Sequence, residues 1–445
     1  MDTTPREPTE LIDVEVIDST TKPPSSKRVI AAGMIGTIVE YFDFLIYATV
    51  SALVFGDLFF PNDDPFVESV FVWGTFAVSY LARPVGGIIF GHFGDKIGRT
   101  RVLFVTLIMM GVSTTAIGLL PTYDQIGMAA PIILILLRVV QGLGVGGEYG
   151  GAALMMIEHA EGTGKRGLWG SLTTASSSMG FLLASALMAV LTATTSDEQF
   201  SGWAWRIPFL LSAVMLLVGF YIRLKISETP VMRATIEAAK TVKAPIVDLV
   251  RNHRKALLIA LGAPFGQFAA YYVTLVFAIP YVVSLGDVDQ SFLLAMSSVS
   301  QVFYVGAVIF GGYLSDRIGR RKPMLFGAVC LSAWSFAFFP LLISGTVVGT
   351  LVALTVALLC VGLIVGPMAA FLAELFGTGV RYSGLSVGYQ FSAAIAGGLS
   401  PVFATFLIHQ YGSWHPVPIM VALALVVTFV AVYFSKERAH SELTS

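Results

Sequence analysis

Twelve predominantly apolar stretches of about 20 residues or more follow one another along the chain, and this repetition leaves few folds open to it. A segment of that length crosses the hydrocarbon layer of a membrane as an α-helix, because in lipid every backbone N–H and C=O must be paired within the segment. The approximate limits are 29–55, 66–94, 101–120, 130–157, 167–193, 203–225, 256–285, 291–314, 323–342, 346–374, 381–409 and 414–434. Spans this long tilt or run on into the interface. Composition points the same way. Charged residues make up 12% of the 445 and hydrophobic residues 56%. An average soluble protein carries about 25% charge, so polar surface is too scarce here to cover water-soluble cores. A net charge of -1 leaves no basic field for nucleic acid. The two cysteines, Cys330 and Cys360, sit in apolar stretches and make neither a disulfide framework nor a thiolate metal site. The chain is therefore expected to be an all-α integral membrane protein embedded in a lipid bilayer.

Basic residues orient the spans. Of the 27 lysines and arginines, 24 lie in the N-terminal tail or after spans 2, 4, 6, 8, 10 and 12, all on one side of the membrane. Both termini are thus expected in the cytoplasm, with the chain multi-pass in a bacterial plasma (inner) membrane. The opposite loops carry acids such as Asp57, Asp63, Asp64, Glu68, Asp124, Asp197, Glu198, Asp287 and Asp289. The tail before span 1 is acidic and contains proline, with no short apolar region or small-residue cleavage site. It is expected to be disordered, with no signal peptide removed.

A repeat divides the chain. Gly91-His-Phe-Gly94-Asp95-Lys-Ile-Gly98-Arg99 after span 2 returns after span 8 as Gly312-Tyr-Leu-Ser315-Asp316-Arg-Ile-Gly319-Arg320, offset by 221 residues. Glu158 with Gly162-Thr-Gly-Lys-Arg166 after span 4 is echoed by Glu374 with Gly377-Thr-Gly-Val-Arg381 after span 10. The expected organisation is a tail (1–28), a six-helix half (29–225), a charged linker (226–255), a second six-helix half (256–434) and a short tail (435–445). Duplicated halves around a central site are a transporter architecture.

The Gly-x-x-x-Asp-x-x-Gly-Arg loops resemble the signature of the major facilitator superfamily. Other strings resemble its metabolite:proton symporter branch: Glu40-Tyr-Phe-Asp43-Phe-Leu-Ile-Tyr47, Arg83-Pro-Val-Gly-Gly87, Arg138-Val-Val-Gln141 through Glu148, Trp205-Arg-Ile-Pro-Phe209, and Glu374 through Gly384. The resemblance covers nearly all of residues 29–435 and implies twelve helices in two pseudo-symmetric halves. It further implies proton-driven uptake of dicarboxylates, tricarboxylates, shikimate-like hydroxy acids, or proline and betaine. Residues 195–199 and 380–390 look nearest to the shikimate transporter and its neighbours. The osmolyte members carry a long C-terminal coiled coil, whereas this chain stops about ten residues after span 12, which weighs against that reading.

A charge at mid-membrane costs about 2.5–3.5 kcal/mol, so each one needs a partner, a cavity or a use. Glu40, Asp43, Arg138 and Glu148 fall at that depth. On span 1, Glu40, Asp43 and Tyr47 share a face, as do Arg138, Gln141 and Glu148 on span 4. Spans 1 and 4 line the cavity in the family resembled, so Asp43 is expected to exchange the proton, aided by Glu40 and Glu148. Arg138, paired with Asp43, is expected to receive a substrate carboxylate in a bidentate grip. The alternative is a fixed ion pair joining two helices, with the glycines around Glu148 serving close packing. Gln267, Tyr271, Tyr272, Gln301, Tyr304, Tyr389 and Gln390 are expected to line the second half of the cavity, or else to bond helix to helix, and the same choice applies to Ser171, Thr174 and Ser178. Asp95, Arg99, Glu158, Arg166, Asp316, Arg320, Glu374 and Arg381 are expected to form a breakable cytoplasmic latch. No metal or other cofactor is expected beyond the proton as coupling ion, and a monomer would suffice. A proton-coupled exporter shares this architecture. A membrane enzyme would need a base, nucleophile or metal cluster near one face, which the sequence lacks.

Overall fold

The computed structural model describes residues 26–62, 65–223, 245–286, 288–439 and 441. Residues 1–25 of the expected tail, 224–225 at the end of the expected first half and 226–244 of the expected linker lie outside them, as do Asp63, Asp64 and Asp287 and the side chains of Glu68, Arg99 and Asp197.

Twelve long helical segments account for most of the described chain. They are α1 (Ser26–Val50, continued by Gly56–Phe59), α2 (Pro65–Ile97), α3 (Arg99–Leu119), α4 (Ala129–His159), α5 (Arg166–Thr194), α6 (Arg206–Arg223), α7 (Arg254–Ser284), α8 (Gln290–Ile318), α9 (Arg321–Ile343), α10 (Val347–Glu374), α11 (Arg381–Tyr411) and α12 (Pro416–Tyr433). Ten are long and apolar enough to cross a membrane, and α1 qualifies as a pair bent by 47° at a π-turn over Ser51–Phe55. The twelfth, α2, is 33 residues long. Large apolar side chains such as Leu81, Phe326 and Leu423 point outward and are exposed, as lipid contact requires.

The two halves repeat the same packing. In the first, α2 and α3 pack on α4, and α6 packs on α3 and α1. In the second, α8 and α9 pack on α10, and α12 packs on α9 and α7. The closeness has a sequence cause. A Cβ on Gly142 or Gly146 of α4 would collide with the Ser79 or Arg83 carbonyl of α2, and one on Gly362 or Gly366 of α10 would collide with Ala307, Val308 or Gly312 of α8. Small residues four apart thus let backbones touch in lipid, where no hydrophobic force pulls helices together. The halves meet along α2–α11 and α5–α8. A short helix, Pro245–Asn252, packs against α2 and the start of α11 at the end of the molecule that carries the basic loops, hereafter the basic end.

Candidate functional site: a basic-end gate and a buried polar core

Helices α5 and α11 begin on residues that cannot cap them. Lys165 and Val380 stand at the N-cap positions and neither side chain bonds the first turn. The first N–H groups of a helix need acceptors from elsewhere. Here they come from the opposite half. Asp95 accepts from the N–H groups of Tyr382 (3.0 Å) and Ser383 (2.8 Å), the second and third residues of α11. Asp316 accepts from those of Gly167 (2.8 Å) and Leu168 (2.9 Å), the second and third residues of α5. Each carboxylate also meets the positive end of a helix dipole. Gly98 and Gly319, which follow the two acids, have φ of 103° and 93°, a turn that glycine makes without strain.

The neighbouring ion pairs cross between halves in the same symmetric way. Arg381 Nη1 reaches Glu158 at 3.2 Å, and Arg166 Nε reaches Glu374 at 3.7 Å. Arg320 adds bonds to Glu374 (3.0 Å) and Asp316 (2.6 Å). Burial works against its charge, but these two carboxylates outweigh burial and hold its pKa above the ordinary arginine value.

The C-terminal tail closes over this cluster. Glu437 accepts from the N–H groups of Arg320 and Arg321, each at 3.1 Å, and so caps α9. Arg166 Nη2 donates to the carbonyls of Ala439 (2.9 Å) and Ser441 (2.7 Å), and Arg438 donates to that of Glu374 (3.1 Å). Of the expected gate residues only the Arg99 side chain falls outside the described set.

Deeper in the first half lies a second cluster. Asp43 is fully buried, and its two oxygens accept from Thr114 of α3 (2.9 Å) and Ser212 of α6 (2.5 Å). Arg138 is also fully buried. Its guanidinium lies 3.6 Å from the Tyr47 ring centroid, its Nη1 donates to Gln141, and its Nη2 has no hydrogen-bond partner. The direct Asp43–Arg138 pair expected from the sequence does not form. A chain of hydrogen bonds replaces it, from Arg138 to Gln141 Oε1, from Gln141 Nε2 to Thr114 (2.8 Å), and from Thr114 to Asp43. Arg138 itself turns to Tyr47 of α1 and to the Thr75 carbonyl of α2, to which its Nε donates at 3.5 Å, so only Gln141 and Asp43 reach Thr114 of α3. Glu148 also faces α3, accepting from Thr106 at 3.0 Å.

Between the halves is a cavity of about 40 Å³. Tyr41 lines it from α1, Thr174 and Ser177 from α5, Gln267, Phe268, Tyr271 and Tyr272 from α7, Tyr304 from α8 and Tyr389 from α11. That is room for about one water molecule. Gln267 Oε1 and Gln301 Oε1 are buried without a hydrogen-bond partner. Above and beside the cavity the halves touch through the Tyr80–Tyr272 hydroxyl contact and the stacked rings of Tyr149 and Tyr389, 3.7 Å apart.

The Major Facilitator Superfamily pattern matches residues 32–398. The chain belongs to the major facilitator superfamily. A metabolite transport protein of the Escherichia coli inner membrane, YhjE, is 37% identical over 94% of this chain and 96% of its own length. The Escherichia coli shikimate transporter is 32% identical over 96% of this chain and 98% of its own, and a proline/betaine transporter of that organism is 32% identical over 98% and 88%. The structure of the proton:xylose symporter XylE bound to 6-bromo-6-deoxy-D-glucose superposes with a TM-score of 0.77 at 14% identity, over 94% of this chain and 98% of that one. The protein is thus a multi-pass membrane transporter of the major facilitator fold, not an enzyme.

Set within the major facilitator halves, the candidate residues divide into groups. Gln267, Tyr271 and Tyr389 line the cavity as the sequence suggests. Gln390 instead donates to the Val145 carbonyl at 3.2 Å and joins α11 to α4. Of the three acids, Glu40 is buried on α1 directly before Tyr41, which lines the cavity. Sequence reasoning did not single out Arg83 as a binding candidate. It is buried 3.9 Å from the Tyr80 ring centroid, with Nε unpaired. Its charge within a long apolar span was the available signal. Tyr41, Tyr80 and Tyr149 were also passed over, since a tyrosine in a membrane helix reads equally well as packing.

Proposed function

We propose that this transporter imports a small organic acid, a shikimate-like hydroxy acid or a di- or tricarboxylate, together with protons by alternating access, with the basic end and both termini in the cytoplasm of a bacterial cell. The observation that carries the proposal is Arg138, a fully buried guanidinium with no carboxylate in direct contact and one nitrogen unpaired. A buried charge is costly until an anion meets it, and a planar guanidinium is suited to a carboxylate. Asp43, with Glu40 and Glu148 as further buried acids, exchanges the proton. The tyrosine-lined cavity supplies hydroxyls for a polyhydroxylated ligand once the halves part to enlarge it, while the gate at the basic end is closed. Metabolite and shikimate transporters among the relatives support this reading.

A second reading has its own observation. Five tyrosines and Phe268 around one cavity resemble the aromatic surroundings that attract quaternary ammonium groups. This fits a zwitterion such as betaine. Proteoliposomes with an imposed pH gradient, tested for uptake of labelled shikimate, citrate, 2-oxoglutarate and proline, separate the two. A monocarboxylate carried with one proton moves no net charge, whereas a zwitterion carried with one proton gains about 2.3 kcal/mol per 100 mV. Accumulation of an acid that follows the pH gradient and is weakened by Arg138→Lys is expected. Proline uptake that responds to voltage and is indifferent to Arg138→Lys would overturn the organic-acid reading.

A further inference from the structure

Thr114 joins the two ends of the buried polar core. Its hydroxyl is fully buried on α3, donates to Asp43 and accepts from Gln141, whose other end holds Arg138. The chemistry of the ends sets the direction of every bond between them. A carboxylate only accepts and a guanidinium only donates, so Thr114 must point its hydrogen at Asp43 while Gln141 presents Nε2 to Thr114 and Oε1 to Arg138. From these contacts we infer that Thr114 is the positioning residue that couples proton binding at Asp43 to the availability of Arg138. The inference rests on the proposed proton coupling and extends it to a residue that neither titrates nor grips the substrate itself.

The sign of the coupling follows from the bonds. While Asp43 is ionised, the Thr114 bond is charge-assisted and the chain is held taut. A proton on Oδ2 reverses the direction of that bond, and the Thr114 hydrogen must turn away. A proton on Oδ1 is accommodated by Ser212, whose hydroxyl has the Pro208 carbonyl 3.4 Å away as a second acceptor, and it reduces the Thr114 bond to a neutral one. In both cases Thr114 keeps a lone pair for Gln141 but loses its charge-assisted anchor, so the chain weakens as a whole and holds Arg138 less firmly against an incoming anion. Proton binding thus favours substrate binding, as symport requires.

The charged and titratable groups around Asp43 are few. On α1 they are Glu40 and Tyr47, on α4 Arg138 and, two turns beyond Gln141, Glu148. On α3 the charged residues are Arg99 and Arg101 at its basic end, and beside Asp43 it offers only the neutral Thr114 hydroxyl. On α6 the nearest is Arg206 near the end away from the basic loops, bonded to the Leu120 carbonyl, and α5 has none after Arg166.

Because through-space electrostatics between Asp43 and Arg138 would also link the two, the test must separate the relay from it. The Asp43 carboxyl band is followed by infrared spectroscopy of the reconstituted full chain against pH and assigned by its loss in Asp43→Asn. The midpoint is compared between the parent and Arg138→Gln, each with Thr114, Thr114→Ser or Thr114→Val. The expected result is that Arg138→Gln changes the proton affinity of Asp43 at least tenfold with threonine or serine at 114, and less than threefold with valine. Gln141→Leu should have the same uncoupling effect as Thr114→Val, which keeps the test open if the valine variant does not fold. Equal effects of Arg138→Gln in all backgrounds, or no effect in any, would overturn the relay. No substrate enters this measurement, so failure of the organic-acid reading in the uptake assay is a separate result.

Discussion

Asp95→Asn should shift the transporter away from the state in which the basic end is closed, and the size of the shift can be worked from the contacts. Asp95 is buried and holds two N–H groups at the positive end of α11. Asparagine keeps one acceptor, turns an NH2 toward the other N–H and removes the charge. A hydrogen bond to a charged group is worth about 1.5–3 kcal/mol, and a carboxylate at a helix N-terminus about 0.3–2 kcal/mol. A net loss of about 2 kcal/mol lowers the ratio of closed to open by about 30-fold. Spin labels on Lys165→Cys and Lys322→Cys, exposed on the two sides of the gate, report that ratio by pulsed electron paramagnetic resonance in a Cys330→Ser, Cys360→Ser background. A longer-distance population should appear with Asp95→Asn. Asp316→Asn should have a similar effect, since it loses the matching pair of bonds. An unchanged distance distribution in both variants, with the protein folded, would refute the capping argument.

Two further substitutions, Gly94→Ala and Glu437→Ala, test the same end of the molecule, with Gly74→Ala in the first third of α2 as a control. Gly94→Ala would place its Cβ inside the Tyr382 ring, so closure and uptake should both be lost, whereas Gly74→Ala, with nothing within 4 Å, should leave both intact; transport and the spin-label distances measured together check this. Glu437→Ala removes the cap that fastens the tail to α9, and with it the seat of the Ala439 and Ser441 carbonyls that hold Arg166 of the other half, so it should enlarge the open population by about fivefold, from a cap worth about 1 kcal/mol; the same labels read it out.

The twelve helices and the two halves were legible because both rest on repetition, of apolar length and of the Asp95 and Asp316 loops. That Asp95, Glu158, Arg166, Asp316, Arg320, Glu374 and Arg381 gather at one end was legible for the same reason. Their partners were not. Asp95 and Asp316 are satisfied chiefly by backbone N–H groups of the other half, and a backbone donor leaves no mark in the residue types. In the buried core, helical spacing placed Glu40, Asp43 and Tyr47 on one broad face and Arg138, Gln141 and Glu148 on another. Such a face spans more than one neighbour, so spacing could not show that Asp43 bonds to α3 and α6 while Glu148 turns to α3. Thr114 and Ser212, which hold Asp43, are short hydroxyl residues of a kind that also bonds its own helix, and nothing in the sequence distinguished them.

The exchange of caps between halves bears on how the chain assembles. The first turn of α5 is completed by Asp316 and that of α11 by Asp95, so neither six-helix half contains all the acceptors its own helices need. Docking of the halves therefore finishes two helices and, on the proposed alternating access, shuts a passage as well. On that reading the same four hydrogen bonds belong to the folding of the molecule and to its working cycle, and a substitution that weakens them is expected to register in a stability screen and in a transport assay together.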